Sequence, residues 1–134
     1  MKYLWDTDIC VHFLNGTGEI VRKTQSIGAE NICTTMVNIF ELKFGAYNSN
    51  KPESNLERIE KLRMILTILD DFDDEIGTFF AKNKAQLRKK GVTIGDFDLL
   101  IAGFASVKDL CLVTNNIKHF NHIPDVKIEN WLSE

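Results

Sequence analysis

The chain has 134 residues, 44% of them hydrophobic and 26% charged, with a formal net charge of −3. That length suits a single domain over residues 1–134, and the composition excludes disorder and collagen-like repeats. No apolar stretch approaches the roughly 18 residues of a membrane span. A mildly acidic chain is also not a typical nucleic-acid binder, unless its acids are gathered in one place to hold metal.

In chain order, Lys2 to Trp5 reads as a strand, followed by a short helix ending at Leu14 and capped by Thr7 or Asp8. The opening Met1-Lys2-Tyr3-Leu4-Trp5-Asp6 meets an acid too early for a signal peptide, so a cytoplasmic location is expected. A second helix covers Glu19 to Ile27, and Asn31 to Thr34 reads as a strand. Thr34 or Thr35 then caps a helix from Met36 to about Tyr47. Asn48 to Asn55, with Pro52, is a polar break.

Apolar residues at three- and four-residue intervals from Leu56 to Leu69 predict an amphipathic helix, with a short strand near Leu69 to Phe72. A helix from Asp74 to about Lys90 is acidic at its start and basic at its end, as the helix dipole favours, with Gly91 beyond it. Asp96 reads as the cap of a helix from Phe97 to Val107. Strands at Leu110 to Thr114 and near Val126 to Ile128 complete the chain. Alternating strands and helices predict a three-layer α/β/α sandwich around a mostly parallel sheet, with chemistry at the carboxyl ends of the strands.

Cys10, Cys33 and Cys111 are odd in number, lie in apolar runs and form no CxxC pair, so they are expected to be reduced core residues. The helices Met36 to Tyr47 and Leu56 to Leu69 are apolar beyond a narrow stripe. Such breadth points to core, or to a surface for self-association.

Three carboxylates interrupt apolar sequence. Asp6 directly follows the first strand, Glu41 is the only charge between Asn31 and Leu42, and Asp98 lies in Phe97-Asp98-Leu99-Leu100-Ile101-Ala102. A carboxylate taken out of water is costly without compensation, and no Arg is built into these runs as a partner. Singly, Asp6 could cap a helix and Asp98 could complement a dipole. Neither explanation covers Glu41, a mid-helix acid among aromatics. Together the acids point to a shared Mg²⁺ or Mn²⁺ site, because an ion relieves their mutual repulsion and hard ions prefer oxygen ligands. Carboxylate-held metal suits phosphodiester hydrolysis.

The same residues carry a family resemblance. Leu4-Trp5-Asp6-Thr7-Asp8-Ile9, Ile39-Phe40-Glu41-Leu42-Lys43-Phe44-Gly45-Ala46, Ile94-Gly95-Asp96-Phe97-Asp98-Leu99 and Val113-Thr114-Asn115-Asn116 with Phe120 resemble, in order, the motifs of PIN-domain ribonucleases. Their spacing over residues 3–131 is similar to that of VapC-type toxins of bacterial toxin–antitoxin pairs. The resemblance implies a metal-dependent endoribonuclease, with transfer RNA as a substrate guess. A VapB-type antitoxin and a second copy of the chain would be its partners. Asp6 and Asp98 would ligate the ion and Glu41 would do so directly or through water, these three forming the catalytic set. Thr7, Asp8, Asp96, Thr114 and Asn116 would stand behind them or meet substrate.

Family members usually bring a fourth acid in the last region, and here those places hold Asn116 and His119. His119 is expected at the surface, with leaving-group protonation as its alternative role. His12 and His122 have no ligand-like spacing. Lys82, Lys84, Arg88, Lys89 and Lys90 are the candidate RNA-binding cations, against the plainer reading of a solvated helix face. Two rivals stand beside the nuclease. One is a degenerate module that binds RNA or protein without catalysis. The other is a haloacid-dehalogenase-like phosphatase, whose nucleophile motif Asp6-Thr7-Asp8 imitates but which needs a downstream lysine.

Overall fold

A computed structural model of the chain describes residues 1–132. Among them the strands β1 (Tyr3–Trp5), β2 (Ile32–Thr35), β3 (Thr67–Leu69), β4 (Cys111–Val113) and β5 (Ile128–Glu129) form one sheet in the order β3-β2-β1-β4-β5. Every neighbouring pair is parallel, with Leu4 opposite Cys33 on one side and Leu112 on the other.

Side chains alternate across this sheet and divide the core. Leu4 and Leu112 face α5 (Asp74–Lys89) and α6 (Asp96–Val107), packing with Ile76, Leu99 and Phe104. Trp5 and Val113 face the opposite way. They pack with residues of α1 (Thr7–Leu14), α2 (Gly18–Ile27), α3 (Met36–Tyr47) and α4 (Pro52–Ile65), among them Ile9, Ile20, Ile39 and Leu62. Helices cover both faces, giving the predicted three-layer sandwich.

From β1 the chain steps outward through β2 to β3, then returns to place β4 on the other side of β1. The reversal opens a crevice at the carboxyl ends of β1 and β4, where such sheets bind ligands. Trp5 pairs with Val113 in register, so the next residues, Asp6 and Thr114, emerge side by side.

Several boundaries differ from the sequence reading. The fourth helix starts at Pro52, where a missing N–H costs nothing, and stops at Ile65; Leu66 is already extended at φ −101° and ψ 155°. Thr67, Ile68 and Leu69 then pair with β2. The apolar rhythm ran on to Leu69 because a buried strand is as apolar as a helix face, and period alone does not separate them. The cap of α1 is Asp6 itself, its Oδ1 accepting from the Ile9 N–H at 3.0 Å, rather than Thr7 or Asp8. Gly95, not Asp96, occupies the cap position of α6, with no side-chain cap bond. A one-turn helix, α7 (Ile117–Phe120), follows β4, an element that the sequence reading did not include.

Cys10 and Cys33 are buried and Cys111 is half-buried, all as free thiols. Burial pushes the Cys10 and Cys33 thiols up to about 12 and Cys111 to about 11. No helix among the described residues is long and apolar enough to cross a membrane.

Candidate active site

Asp6 sits at the carboxyl end of β1 and is 7% exposed. Burial pushes its carboxyl from the ordinary 3.8 up to about 6. The Thr114 hydroxyl and the Ile9 N–H hold it down in part, while the Asp8 and Asp98 charges push it further up. Thr114 is fully buried after β4 and also accepts the backbone N–H of Asn116 at 3.0 Å. The strand pairing of β1 with β4 thus delivers a carboxylate together with the hydroxyl that steadies it.

Glu41 lies in the second turn of α3. The Thr7 hydroxyl donates to its Oε1 at 2.6 Å, and Thr7 in turn accepts from Asn38 Nδ2 at 3.1 Å. Asn38 is fully buried, and its Oδ1 accepts from the Thr35 N–H at 3.1 Å and the Thr35 hydroxyl at 2.6 Å, completing the capping box of α3. A chain of bonds therefore runs from the cap of α3 through Thr7 to the acid. Half-burial raises the Glu41 carboxyl above its ordinary 4.5; the Thr7 bond opposes this, and Asp98 and Asp8 reinforce it.

Asp98 occupies the first turn of α6, and its Oδ2 stands 3.1 Å from Nε2 of His119 on α7. His119 is 24% exposed in its side chain, so the expectation of an ordinary surface histidine is corrected. The rise out of β4 into α7 turns it back over Asp98. Asp8 is exposed beside the cluster and acts on both Asp6 and Glu41 by charge. Asp96 points away from the cluster into a 2.9 Å ion pair with Lys84 of α5. Asn116 is exposed and reaches the site through its backbone N–H on Thr114.

The expected acids thus share one electrostatic neighbourhood: Asp98 raises both Asp6 and Glu41. Their oxygen-only donor set and mutual repulsion fit a hard divalent cation, which Asp6, Glu41 and Asp98 could hold. Yet among the described residues no three His, Cys, Asp or Glu side chains are already drawn close enough to grip an ion together. The cluster is an open ring. Glu41 and Asp98, both on helix surfaces, are only half-buried.

Two features of this neighbourhood lay outside the sequence-based set, Asn38 and the pairing of His119 with Asp98. Asn38 was visible as the polar residue three after Thr35, the capping-box spacing. For His119 the signal was its place just before Phe120, where an acid is usual in the resembling family.

Lys82, Lys84, Arg88, Lys89 and Lys90 are all exposed along the end of α5 and just beyond it, whereas Asn83 between them turns inward and donates to the Phe79 carbonyl at 2.9 Å. Two downstream lysines that a phosphatase could use are committed elsewhere. Lys84 holds Asp96, and Lys108 holds Asp71 and Asp73 at 3.0 Å each. Neither is bonded to Asp6, and among the described residues no lysine is paired with it, as the phosphatase alternative would need.

A groove of about 370 Å³ opens beside Glu41 and Thr7, walled by Val11, Leu42, Ala46 and Ile59. The outer side of α3 and the end of α4 leave Phe40, Phe44, Tyr47 and Met64 exposed at 54%, 71%, 68% and 87%, so the apolar breadth of these helices is more than core.

No family model matches the chain. Individual relatives do. It is 32% identical over 131 residues to the tRNA(fMet)-specific endonuclease VapC of Salmonella typhimurium, covering 98% of both chains. It is 35% identical over 133 residues to ribonuclease VapC2 of Rickettsia felis, again covering 98% of each. Among solved structures it resembles a chain of DNA-bound VapBC from Salmonella typhimurium with a TM-score of 0.88 at 32% identity, over 98% of both chains. A chain of VapBC2 from Rickettsia felis bound to a promoter DNA fragment gives a TM-score of 0.87 at 34% identity, over 98% of this chain and 99% of that one. With identity above 30% over nearly the whole length of both relatives, and with matching folds, the chain belongs to the VapC family of ribonucleases.

Proposed function

We propose that this chain is the toxin of a toxin–antitoxin pair, a single catalytic domain that hydrolyses RNA phosphodiester bonds internally with the help of Mg²⁺ or Mn²⁺. The observation that carries the reading is Asp6: a buried carboxyl pushed up to about 6 at the switch point of a parallel sheet, with Asp98 adding to the push. Such an acid destabilises the fold when ionised and finds its natural compensation in a cation.

Asp6 and Asp98 would hold the ion, and Glu41 would complete the set directly or through water. When bound, the cation would supply an acidified water as nucleophile and charge stabilisation at phosphorus. The chain's own residues position these parts. Thr7 fixes the Glu41 carboxylate, Thr114 and the Ile9 N–H fix Asp6, and His119 sits against Asp98. Asp8 adds charge at the rim, Asn116 would meet substrate from beside Thr114, and Asp96 would act from outside the cluster through its pair with Lys84. Lys82, Arg88, Lys89 and Lys90 would run along the RNA backbone, with Lys84 shared with Asp96. The name of one relative specifies tRNA(fMet), which supports transfer RNA as the first substrate to try.

The exposed aromatics of α3, beside the groove that ends at Glu41, suit a VapB-type antitoxin or a second toxin copy. VapBC complexes among the similar structures support the former. A catalytically degenerate module is the second reading, favoured by the open geometry of the acids. Antitoxin-free protein incubated with transfer RNA separates the two. Cleavage that needs Mg²⁺ or Mn²⁺, stops with EDTA and stops in Asp6→Asn supports the enzyme. Retained RNA that is never cut under either ion supports the degenerate module.

A further inference from the structure

His119 stands where the chain departs from the acidic pattern it resembles, and the structure gives the departure a geometry. Its ring lies edge-on to Phe120, centroids 5.3 Å apart at 85°, and Phe120 is 1% exposed. The ring is thereby braced against the core with Nε2 directed at Asp98 Oδ2, 3.1 Å away. β4 and α7 form one continuous segment, so the strand end that sets Thr114 beside Asp6 also sets His119 beside Asp98.

We propose that His119 contributes Nε2 as a ligand to the cation held by Asp98 and Asp6, and that this nitrogen makes the site favour Mn²⁺ over Mg²⁺. The inference rests on the cation-dependent reading above and sharpens it.

The distance supports ligation. Neighbouring ligands of a six-coordinate ion with bonds of roughly 2.1 Å are separated by about 3.0 Å, an edge that the Nε2 to Oδ2 distance nearly equals. The separation already matches a shared edge. Ligation then requires Nε2 to turn from Asp98 to the ion and Asp6 to be drawn in, since among the described residues no three of these side chains yet stand close enough to hold it. Charge supports it too. Asp6 and Glu41 are already pushed up by Asp98 and Asp8, and a further carboxylate would add to that repulsion. An uncharged nitrogen supplies a donor without the added repulsion. Its effect on ion choice follows from ligand softness: Mg²⁺ prefers oxygen and sheds water reluctantly, whereas imidazole binds first-row transition ions well.

The test uses the full chain free of antitoxin, stripped of ions and loaded with Mn²⁺. Pulsed electron paramagnetic resonance should show coupling from a directly bound imidazole nitrogen, lost in His119→Gln. Titrations followed by calorimetry should show the ratio of Mg²⁺ to Mn²⁺ dissociation constants falling about tenfold or more in His119→Glu, which substitutes an all-oxygen set. Should His119→Gln fail to fold, the nitrogen signal in the unaltered chain and the ratio in His119→Glu still decide the matter. Mn²⁺ that binds, is lost in Asp98→Asn and shows no nitrogen coupling overturns the role of His119 and leaves the cation site standing. Mn²⁺ that fails to bind, or binds Asp98→Asn equally, overturns the cation reading and this inference with it.

Discussion

The Thr7 hydroxyl donates a 2.6 Å hydrogen bond to Oε1 of Glu41, tying the residue that follows Asp6 to the second turn of α3 across 34 positions of sequence. The donor is itself held by buried Asn38, so the carboxylate is oriented from the cap of its own helix. Hydrogen bonds to charged groups contribute about 1.5–3 kcal/mol, and about 1.4 kcal/mol is tenfold in rate. Thr7→Val is therefore expected to lower RNA cleavage about tenfold and to move the acidic limb of the pH–rate profile upward, since Thr7 is what opposes the rise of the Glu41 carboxyl. Thr7→Ser should restore both. An unshifted profile in Thr7→Val would show that the bond does not govern Glu41.

Asp6 sets a pH dependence of stability in the ion-free protein. Its carboxyl lies at 3.8 in the unfolded chain and about 6 in the fold. Between these values the folded state keeps a proton that the unfolded state has released, so stability falls as pH rises from about 4 to about 6. The fall attributable to Asp6 is about 3 kcal/mol. Urea unfolding at a series of pH values, without divalent ions, should show the unaltered chain losing stability of that order relative to Asp6→Asn across the window. A relative gain with rising pH would mean that Asp6 has a cationic partner in the fold.

The α5 cations are tested by salt. On single-stranded RNA, each phosphate that a cation ceases to neutralise reduces the slope of log affinity against log salt by about 0.7. Arg88→Ala and Lys89→Ala should each weaken binding of uncut RNA and flatten that slope, measured on Asp6→Asn to prevent cleavage. Lys84→Ala should do less, because Lys84 is already paired with Asp96 at 2.9 Å. Unchanged slopes would return the helix end to the role of a solvated face.

Phe44 is 71% exposed on α3, so replacing it removes little packing within the chain. Phe44→Asp is expected to leave the melting temperature within about a degree or two and to weaken antitoxin binding, or self-association, more than about tenfold. Thermal unfolding reads the first, and analytical ultracentrifugation with and without the antitoxin reads the second. Undisturbed association would move the partner surface elsewhere.

Much of this was legible in the sequence because burial forbids most positions to acids. Asp6, Glu41 and Asp98 announced themselves as charges in apolar runs, and alternating elements dictated the layered sheet. What escaped depended on geometry between elements. The end of α4 at Ile65 and the pairing of Thr67 to Leu69 were hidden, since a buried strand continues a helix's apolar rhythm. Asp6 as the cap of α1 stood in the sequence only as an alternative beside Thr7 and Asp8, because one residue both follows a strand and starts a helix. His119 looked like a surface residue next to an aromatic, and only the path from β4 into α7 brings it to Asp98. For α3 the sequence left core and association surface both open, because it does not reveal which apolar face has a neighbour.

The proposed chemistry requires Asp6 and Asp98 to close around one divalent ion. A crystal of the antitoxin-free protein grown with Mn²⁺ reports on this through the anomalous signal of the metal. The expected map has a peak about 2.2 Å from carboxylate oxygens of both Asp6 and Asp98, with Glu41 turned toward it and no peak in Asp98→Asn. A map with no ion in the crevice at saturating Mn²⁺, or with a lysine or arginine side chain lying between the two carboxylates, would contradict it.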